Sequence, residues 1–448
     1  MAETLAVPLP APSAARQILA LAAPTALSSI LQVVAQIAET WLAARQGTAA
    51  LAGWSVVLPF SLLMQQMSAG AMGGGVSSAT ARALGAGRRD EASALVLHAV
   101  LIAVVAGCAF ALLLAVFPRA VLGAIGGATA AEAAAPYAMW LFGLGAVPVW
   151  LANTLASVLR GGGQHALAAR VLLVTWIAYP PLAWLLAEPL GMGLPGIGAA
   201  MGTVFLASTL VMGAAVLGGR AGFRPVLRVR PSGAMFWRIL SVGLVASLLA
   251  GVANLTTILV TARIASHGAA AVAGYGISAR LEFLMIPIAF GVGSALTSLV
   301  GRAVGAGRWD GALRLAWTGG LMALAITGAL GLLVAAVPGA FASFFSTDPA
   351  VIGIASRSLS YTGFAFGGFG LGMALYFASQ GAGRMGWPVV AGVSRIAVAV
   401  GGGWLLGDVL GMGLDGQFLA VALGITAYGL VTAIGVRPGV WVGTRAGR

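Results

Sequence analysis

The chain repeats itself, and that repeat limits its fold more than any other feature. ALGAGRRDEA at 83–92 returns as AVGAGRWDGA at 303–312, an offset of 305 − 85 = 220. WLLAEPLGMGLPG at 184–196 returns as WLLGDVLGMGLDG at 404–416, again 404 − 184 = 220. RGGG at 160–163 answers QGAG at 380–383 at 220, and GTAALAG at 47–53 answers GAAAVAG at 268–274 at 268 − 47 = 221. Four matches in one order mark a duplicated unit, the arrangement from which many membrane transporters are built.

Each unit is strongly apolar. Of 448 residues 60% are hydrophobic and only 8% charged, against about 25% charged in a soluble protein. Apolar segments near the ~20 residues needed to cross a bilayer lie at about 17–43, 50–80, 93–117, 133–158, 168–187, 196–218, 238–265, 271–300, 312–337, 352–378, 387–407 and 416–436. Pro180-Pro181 and Gly401-Gly402-Gly403 make the fifth and eleventh the weakest. The repeat spans six helices, an even number, so both halves cross the membrane in the same direction. The expected fold is an all-α polytopic membrane protein of twelve transmembrane helices in two six-helix lobes. Its parts are an N-terminal segment (1–15), an N-lobe (16–218), a basic linker (219–237), a C-lobe (238–436) and a tail (437–448).

The net charge of +13 comes from arginine, since there is no lysine. GAGRRDEA, RGGGQHALAAR, the 218–231 segment, GAGRWDGALR, QGAGR and the tail follow alternate spans, whereas the opposite loops hold Arg45, Arg119, Arg263 and Arg357. The positive-inside rule then puts both termini and the linker in the cytoplasm, and the charge implies no nucleic-acid partner. With lysine absent a Walker loop cannot occur. No catalytic set stands out, which argues against an enzyme, and a single Cys108 permits no internal disulfide. The N-terminus lacks a basic region followed by a short apolar one, so the first helix is expected to serve as its own insertion signal. His98, His165 and His267 fall at span ends or in loops without metal-ligand spacing, so no metal or cofactor is expected.

Polar groups inside the spans are the candidate site. Glu39 is an acid in the first span, and an intramembrane carboxylate is functional by default, the bland alternative being an acid that snorkels to the headgroups. Gln32, Gln36, Glu39 and Thr40 share one helical face, and Pro24 removes a backbone bond of the same helix and is able to bend it. Ser61, Gln65 and Ser68 make a second stripe. Asn254, Thr257 and Thr261 repeat the first stripe in the C-lobe at 221 to 222, with Thr261 or Val260 where Glu39 would be. The acid therefore belongs to one lobe. Arg280 and Glu282 occupy the C-lobe positions of Pro59 and Ser61; two residues apart they share no face, and each is expected to find a partner elsewhere as a structural pair or to form a second cation or substrate site. Asn153, with Thr154 and Ser157, and Tyr361, with Thr362, either line the cleft or tie helices together. Met64, Met67 and Met72 suit a pliable surface or plain packing.

Taken together, LAAP in the first helix, Glu39-Thr40 before QGTAALAG, GAGRRDEA, AVAGYGISARLEFL, VGRAVGAGR and SQGAGR make the chain resemble the multidrug and toxic compound extrusion (MATE) transporters, in particular a DinF-like bacterial branch, from about Arg16 to Arg437. The resemblance implies a V-shaped cleft between lobes, residence in the bacterial cytoplasmic membrane as a monomer, and antiport of cationic or amphipathic compounds against protons or sodium. It implies that Glu39 takes the coupling role of an aspartate usual in that position, with Glu282 the alternative. The fifth-helix asparagine and aspartate of many relatives are missing from TWIAYPPLAWLL at 175–186. A proton needs one carboxylate where sodium needs several oxygens, and desolvation favours the neutral form of a carboxyl, so proton coupling is the expectation. A flippase for a lipid-linked or amphiphilic substrate is the alternative function, for which several inward arginines would be expected; only Arg280 and Arg395 are deep in a span.

Overall fold

The computed structural model describes residues 13–226 and 228–441; most of the N-terminal segment and of the tail lies outside the described residues. Every described element is helical, as lipid demands of a chain that must satisfy its backbone within each span. The first repeat comprises α1 (Ala14–Arg45), α2 (Thr48–Gly85), α3 (Arg89–Val116), α4 (Gly127–Gly161), α5 (His165–Ala187) and α6 (Leu194–Leu217). The second comprises α7 (Gly233–Ile264), α8 (Ala269–Gly305), α9 (Trp309–Ala336), α10 (Pro349–Ala382), α11 (Gly386–Val409) and α12 (Gly413–Gly435). Helix α7 begins inside the stretch read as linker, at Gly233.

Eleven of the twelve are long and apolar enough to cross a bilayer. The exception, α10, is a helix of 34 residues whose glycines, serines and tyrosines dilute its hydropathy. It packs against α8, α9 and α12 and is buried along most of its length, so it needs little lipid-facing apolar surface. Its repeat mate α4 is likewise the buried centre of its own lobe. The two weak spans also form. Helix α5 runs unbroken through Pro180-Pro181, and α11 accommodates its glycines in π-helical turns at Ala397–Gly401 and Trp404–Val409.

One irregularity explains the repeat's arithmetic. The offset is 221 at the start of α2 and 220 at its end, so α2 carries one residue more than α8. A π-helical turn, Gln66–Met72, interrupts α2, whereas α8 is α-helical from end to end. A π turn is the usual way a helix absorbs one inserted residue, and it is frequent at functional sites.

The lobes meet near the face that carries the arginine-rich loops. Arg82 Nη1 donates to Gly381 O at 3.2 Å, and its mate Arg302 (82 + 220) donates through Nη2 to Gly161 O at 3.4 Å. Ser78 Oγ lies 2.5 Å from Gln380 O, and His165 Nε2 lies 2.8 Å from Ser298 Oγ. Gly85 and Gly305 let the two helices touch, since a Cβ on either would collide with the backbone of Arg302 or Arg82. The first turns of α1 join this closure, with Ile18 and Ala22 packed into a C-lobe core. These contacts all lie in the half nearer the arginine-rich face. Towards the other face the lobes part, leaving the V-shaped cleft.

Candidate functional site

Glu39 does not snorkel. It is 4% exposed, enclosed between α1, α2 and α4. Trp54 Nε1 donates to Glu39 Oε1 at 3.0 Å, and the Tyr137 hydroxyl donates to the same oxygen at 2.7 Å. The Tyr179 hydroxyl, from α5, is close enough to act on the carboxylate, although it falls outside hydrogen-bonding geometry and has no other partner. Both donors converge on Oε1, and no hydrogen bond reaches Oε2 among the described residues. Arg45, one to two turns beyond, pairs instead with Glu188 at the surface (2.6 Å).

Sequence reasoning found Glu39 and missed the aromatic groups that enclose it. Trp54 lies 15 residues away along the chain and Tyr137 lies 98. The available signal was tyrosine placement: the chain has 6 tyrosines, and two of them stand in apolar N-lobe spans.

The rest of the expected α1 face divides. Gln32 and Gln36 are half-buried, with Gln32 Nε2 within 3.5 Å of Gln65 Oε1. Thr40 is exposed and its hydroxyl bonds back to Gln36 O at 2.8 Å, so it does not join Glu39. Pro24 stands inside α1, which continues as one helix through it. The α2 stripe is buried: Ser61, Gln65 and Ser68 all face inward, and Asn153 Nδ2 donates to Ser68 Oγ at 2.9 Å. Asn153 is thus an α2–α4 tie as well as a cavity wall. Met64 and Met72 are buried packing residues.

In the C-lobe the expected stripe gathers nothing. Asn254, Thr257 and Thr261 each bond back to their own helix, to the carbonyls of Ala250, Ala253 and Thr257. Burial phase settles which residue faces Glu39's counterpart position. Val260 is 1% exposed, and Thr261 is only half-buried. Tyr361 packs against the C-lobe core.

Arg280 and Glu282 are not partners. Glu282 pairs with Arg395 of α11, both side chains largely buried, and the Arg395 guanidinium also stands 5.7 Å from the Phe369 ring. Arg280 is exposed and enters no ion pair among the described residues. It lies on the 280, 283, 287, 290 and 294 stripe of α8, whose far end, at Phe290 and Ser294, lines the space between the lobes.

At the closed base of the cleft two small polar cavities adjoin. One is walled by the N-lobe residues Thr25, Ser28, Gln32, Gln65, Asn153 and Trp176 and by Phe290 of α8, with about 30 Å³ of room. That holds one or two waters, not an organic substrate. The other lies between the lobes, and Arg160 borders both. Sequence reading placed Arg160 in a solvated loop; the structure buries it, because the RGGG turn is itself pressed between the lobes. The same correction applies to His98 and His165, both fully buried at helix–helix contacts.

Comparison with known proteins agrees with this arrangement. The MatE family profile matches residues 24–185 and 244–405, two segments displaced by 244 − 24 = 220. A MOP superfamily transporter from Pyrococcus furiosus, reported with a binding pocket of reverse polarity that suggests a different function, superposes with a TM-score of 0.90 at 20% identity, over 97% of this chain and 98% of that one. A MATE protein in complex with MaD3S gives 0.89 at 21% identity over 96% of each chain. An outward-facing multidrug resistance MATE family transporter gives 0.88 at 21% over 96% of each. Among curated proteins none matches. With the family profile covering most of its length, once per lobe, the chain belongs to the MATE family: it is an integral membrane transporter, not an enzyme.

Proposed function

We propose that this protein is a secondary antiporter that exports amphipathic organic compounds in exchange for protons, with Glu39 as the coupling group. The observation that carries the reading is the kind of atom around Glu39. An indole N–H and a phenol O–H point at the carboxylate; both are donors, which suit a charge that comes and goes with a proton. A sodium ion would need several oxygens to ligate it, and the indole offers none. Carboxylate with its two donors is one state. Protonation at Oε2 removes the charge, weakens the hold of Trp54 and Tyr137, and so biases α1 against α2 and α4. Coupling follows when the two states favour different openings of the cleft.

With the arginine-rich face read as cytoplasmic by the positive-inside rule, the cleft opens outward and the Arg82 and Arg302 contacts are its inner closure. The setting would be the bacterial cytoplasmic membrane, with the protein acting as a monomer. The cationic compounds expected alongside amphipathic ones would need a carboxylate open to the cleft, yet Glu39 is enclosed and Glu282 is held by Arg395. A flippase for a pyrophosphate-linked lipid would need arginines gathered on one wall, whereas Arg280 and Arg160 stand apart on α8 and α4.

The test is transport in proteoliposomes with a proton gradient or a sodium gradient imposed separately. Export should follow the proton gradient alone and vanish in Glu39→Gln. Export driven by sodium at constant pH overturns the coupling assignment.

A further inference from the structure

The cavity between the lobes sits on the internal two-fold axis. Its lining falls into mates separated by 220: Ser77 with Thr297, Ser157 with Phe377, and Arg160 with Gln380. The last pair breaks the symmetry, setting a cation against a neutral amide. Arg160 is 4% exposed. Its one side-chain hydrogen bond goes to Ser157 Oγ at 3.0 Å, and its guanidinium stands 5.7 Å from the Phe290 ring. None of the ion pairs among the described residues includes it. A buried guanidinium without a counter-charge is strongly unfavourable unless something else supplies the charge, and of its five N–H groups one has an acceptor among the described residues.

The inter-lobe side of Arg160 is a poor place for an anion. Gln380 Nε2 is committed to Gly70 O at 3.3 Å, which leaves an acceptor, its Oε1, without a partner. The N-lobe side differs. There Thr25, Ser28, Gln32 and Trp176 line about 30 Å³ beside Arg160 and Phe290, room for one halide or one carboxylate group, although the Thr25 hydroxyl itself bonds back to Leu21 O at 3.4 Å. On the same α8 stripe as Phe290, Arg280 adds an exposed cation that enters no ion pair among the described residues.

We propose that Arg160 docks one small anionic group at the base of the cleft, so that the exported amphiphiles are acids or zwitterions and not simple cations. This substrate class rests on the transport reading above; the anion site does not. The physics of the exchange agrees with it. Moving an anion out and a proton in carries positive charge inward in both steps, so an inside-negative membrane potential drives both. The anion is either free in solution or borne by the substrate, and the two sources separate experimentally.

Full-length protein would be melted in sodium chloride, acetate and gluconate at matched ionic strength, as wild type, Arg160→Gln and Arg160→Lys. Gln is what the other lobe carries at this position, fully buried, so that variant is expected to fold. Chloride and acetate should raise the wild-type midpoint by several degrees in a saturable way, gluconate should not, the Gln variant should be unresponsive, and the Lys variant should recover part of the response. In proteoliposomes, 2-naphthoate would be compared with (2-naphthylmethyl)trimethylammonium. Export of naphthoate, accelerated by an inside-negative potential and lost in Arg160→Gln, assigns the anion to the substrate. Anion-dependent melting with export of the ammonium compound alone keeps the site but overturns the substrate class. An equal response of wild type and Arg160→Gln, or no response in either, overturns the site. Transport of neither compound counts against the substrate class, while the melting series still decides the site.

Discussion

The two lobes share a backbone plan and differ in what they put at its centre. In the N-lobe, Glu39, Trp54, Tyr137 and Tyr179 form one buried polar group. By repeat offset and burial phase the same four places in the C-lobe hold Val260, Tyr275, Ser358 and Ala399, and Val260, Tyr275 and Ala399 belong to a single apolar core. The acid and both of its neighbouring tyrosines are replaced, while the place of Trp54 is taken by Tyr275. The difference runs the other way at Glu282 and Arg395, whose N-lobe counterparts are Ser61 and Thr175. The two lobes thus treat an acid within their spans differently: Glu39 is hydrogen-bonded by neutral donors, and Glu282 is neutralised by a guanidinium. A lone acid ringed by donors can change charge without breaking an ion pair. An acid held by arginine cannot do so cheaply, because removing either partner of a buried pair costs about 3–5 kcal/mol. On the proposed coupling role, the N-lobe acid is suited to titrate and the C-lobe pair to hold.

That contrast is open to attack, beginning where the effect should be largest. Glu39→Gln should insert and melt like wild type yet lose gradient-driven export by about two orders of magnitude, the scale of losing ~2.7 kcal/mol of coupling. Glu39→Asp should keep part of the activity with a displaced pH profile. Efflux at matched expression between pH 6 and 8 reads both, and unaltered transport in the Gln variant would move the coupling site to Glu282. Next, Glu282→Gln should lower stability by about 3–5 kcal/mol, because it strands the Arg395 guanidinium. A normal melting midpoint with transport abolished would put Glu282 in the transport machinery instead.

Tyr137→Phe removes one donor from the Glu39 carboxylate, which should weaken the charged state by about 1–3 kcal/mol. Its transport rate should fall while the C-lobe counterpart change, Ser358→Ala, leaves transport intact; equal losses would erase the distinction between lobes. Where the lobes agree, variants should agree as well. Arg82→Ala and Arg302→Ala each delete one mirror-related contact across the closure, and each should shift the balance towards the opposite opening by about 1 kcal/mol, read from accessibility of a cysteine placed at Ser78 or Ser298. A shift in one variant alone would show that the closure is not shared.

The smallest effect belongs to the surface. Arg45, hydrogen-bonded to Glu188, holds that carboxyl below its ordinary value of 4.5. A depressed carboxyl contributes stability above its unfolded-state value and loses it as pH falls through the folded-state one, so Glu188→Ala should matter little at neutral pH and not at all in strong acid. Melting curves at pH 7 and pH 3 check the sign. A larger destabilisation at pH 3 than at pH 7 would contradict it.

The local sequence determined the class of fold, the repeat and the presence of an acid at Glu39 that the matching place in the other lobe lacks. These follow from hydropathy and from spacing along the chain, which lipid makes unusually informative because each span must satisfy its own backbone. Even the π-helical turn in α2 was present in the sequence as a change of offset from 221 to 220, although only the backbone showed where the extra residue is absorbed. Tertiary structure decided the rest. Glu39 depends on a tyrosine 98 residues away, and Glu282 on an arginine 113 residues away. Arg160 looks like a solvated turn residue until the two lobes close over it. Which charged group is enclosed, paired or left alone depends on helices distant in the chain, and helical periodicity reports only which face a residue is on, not what stands opposite.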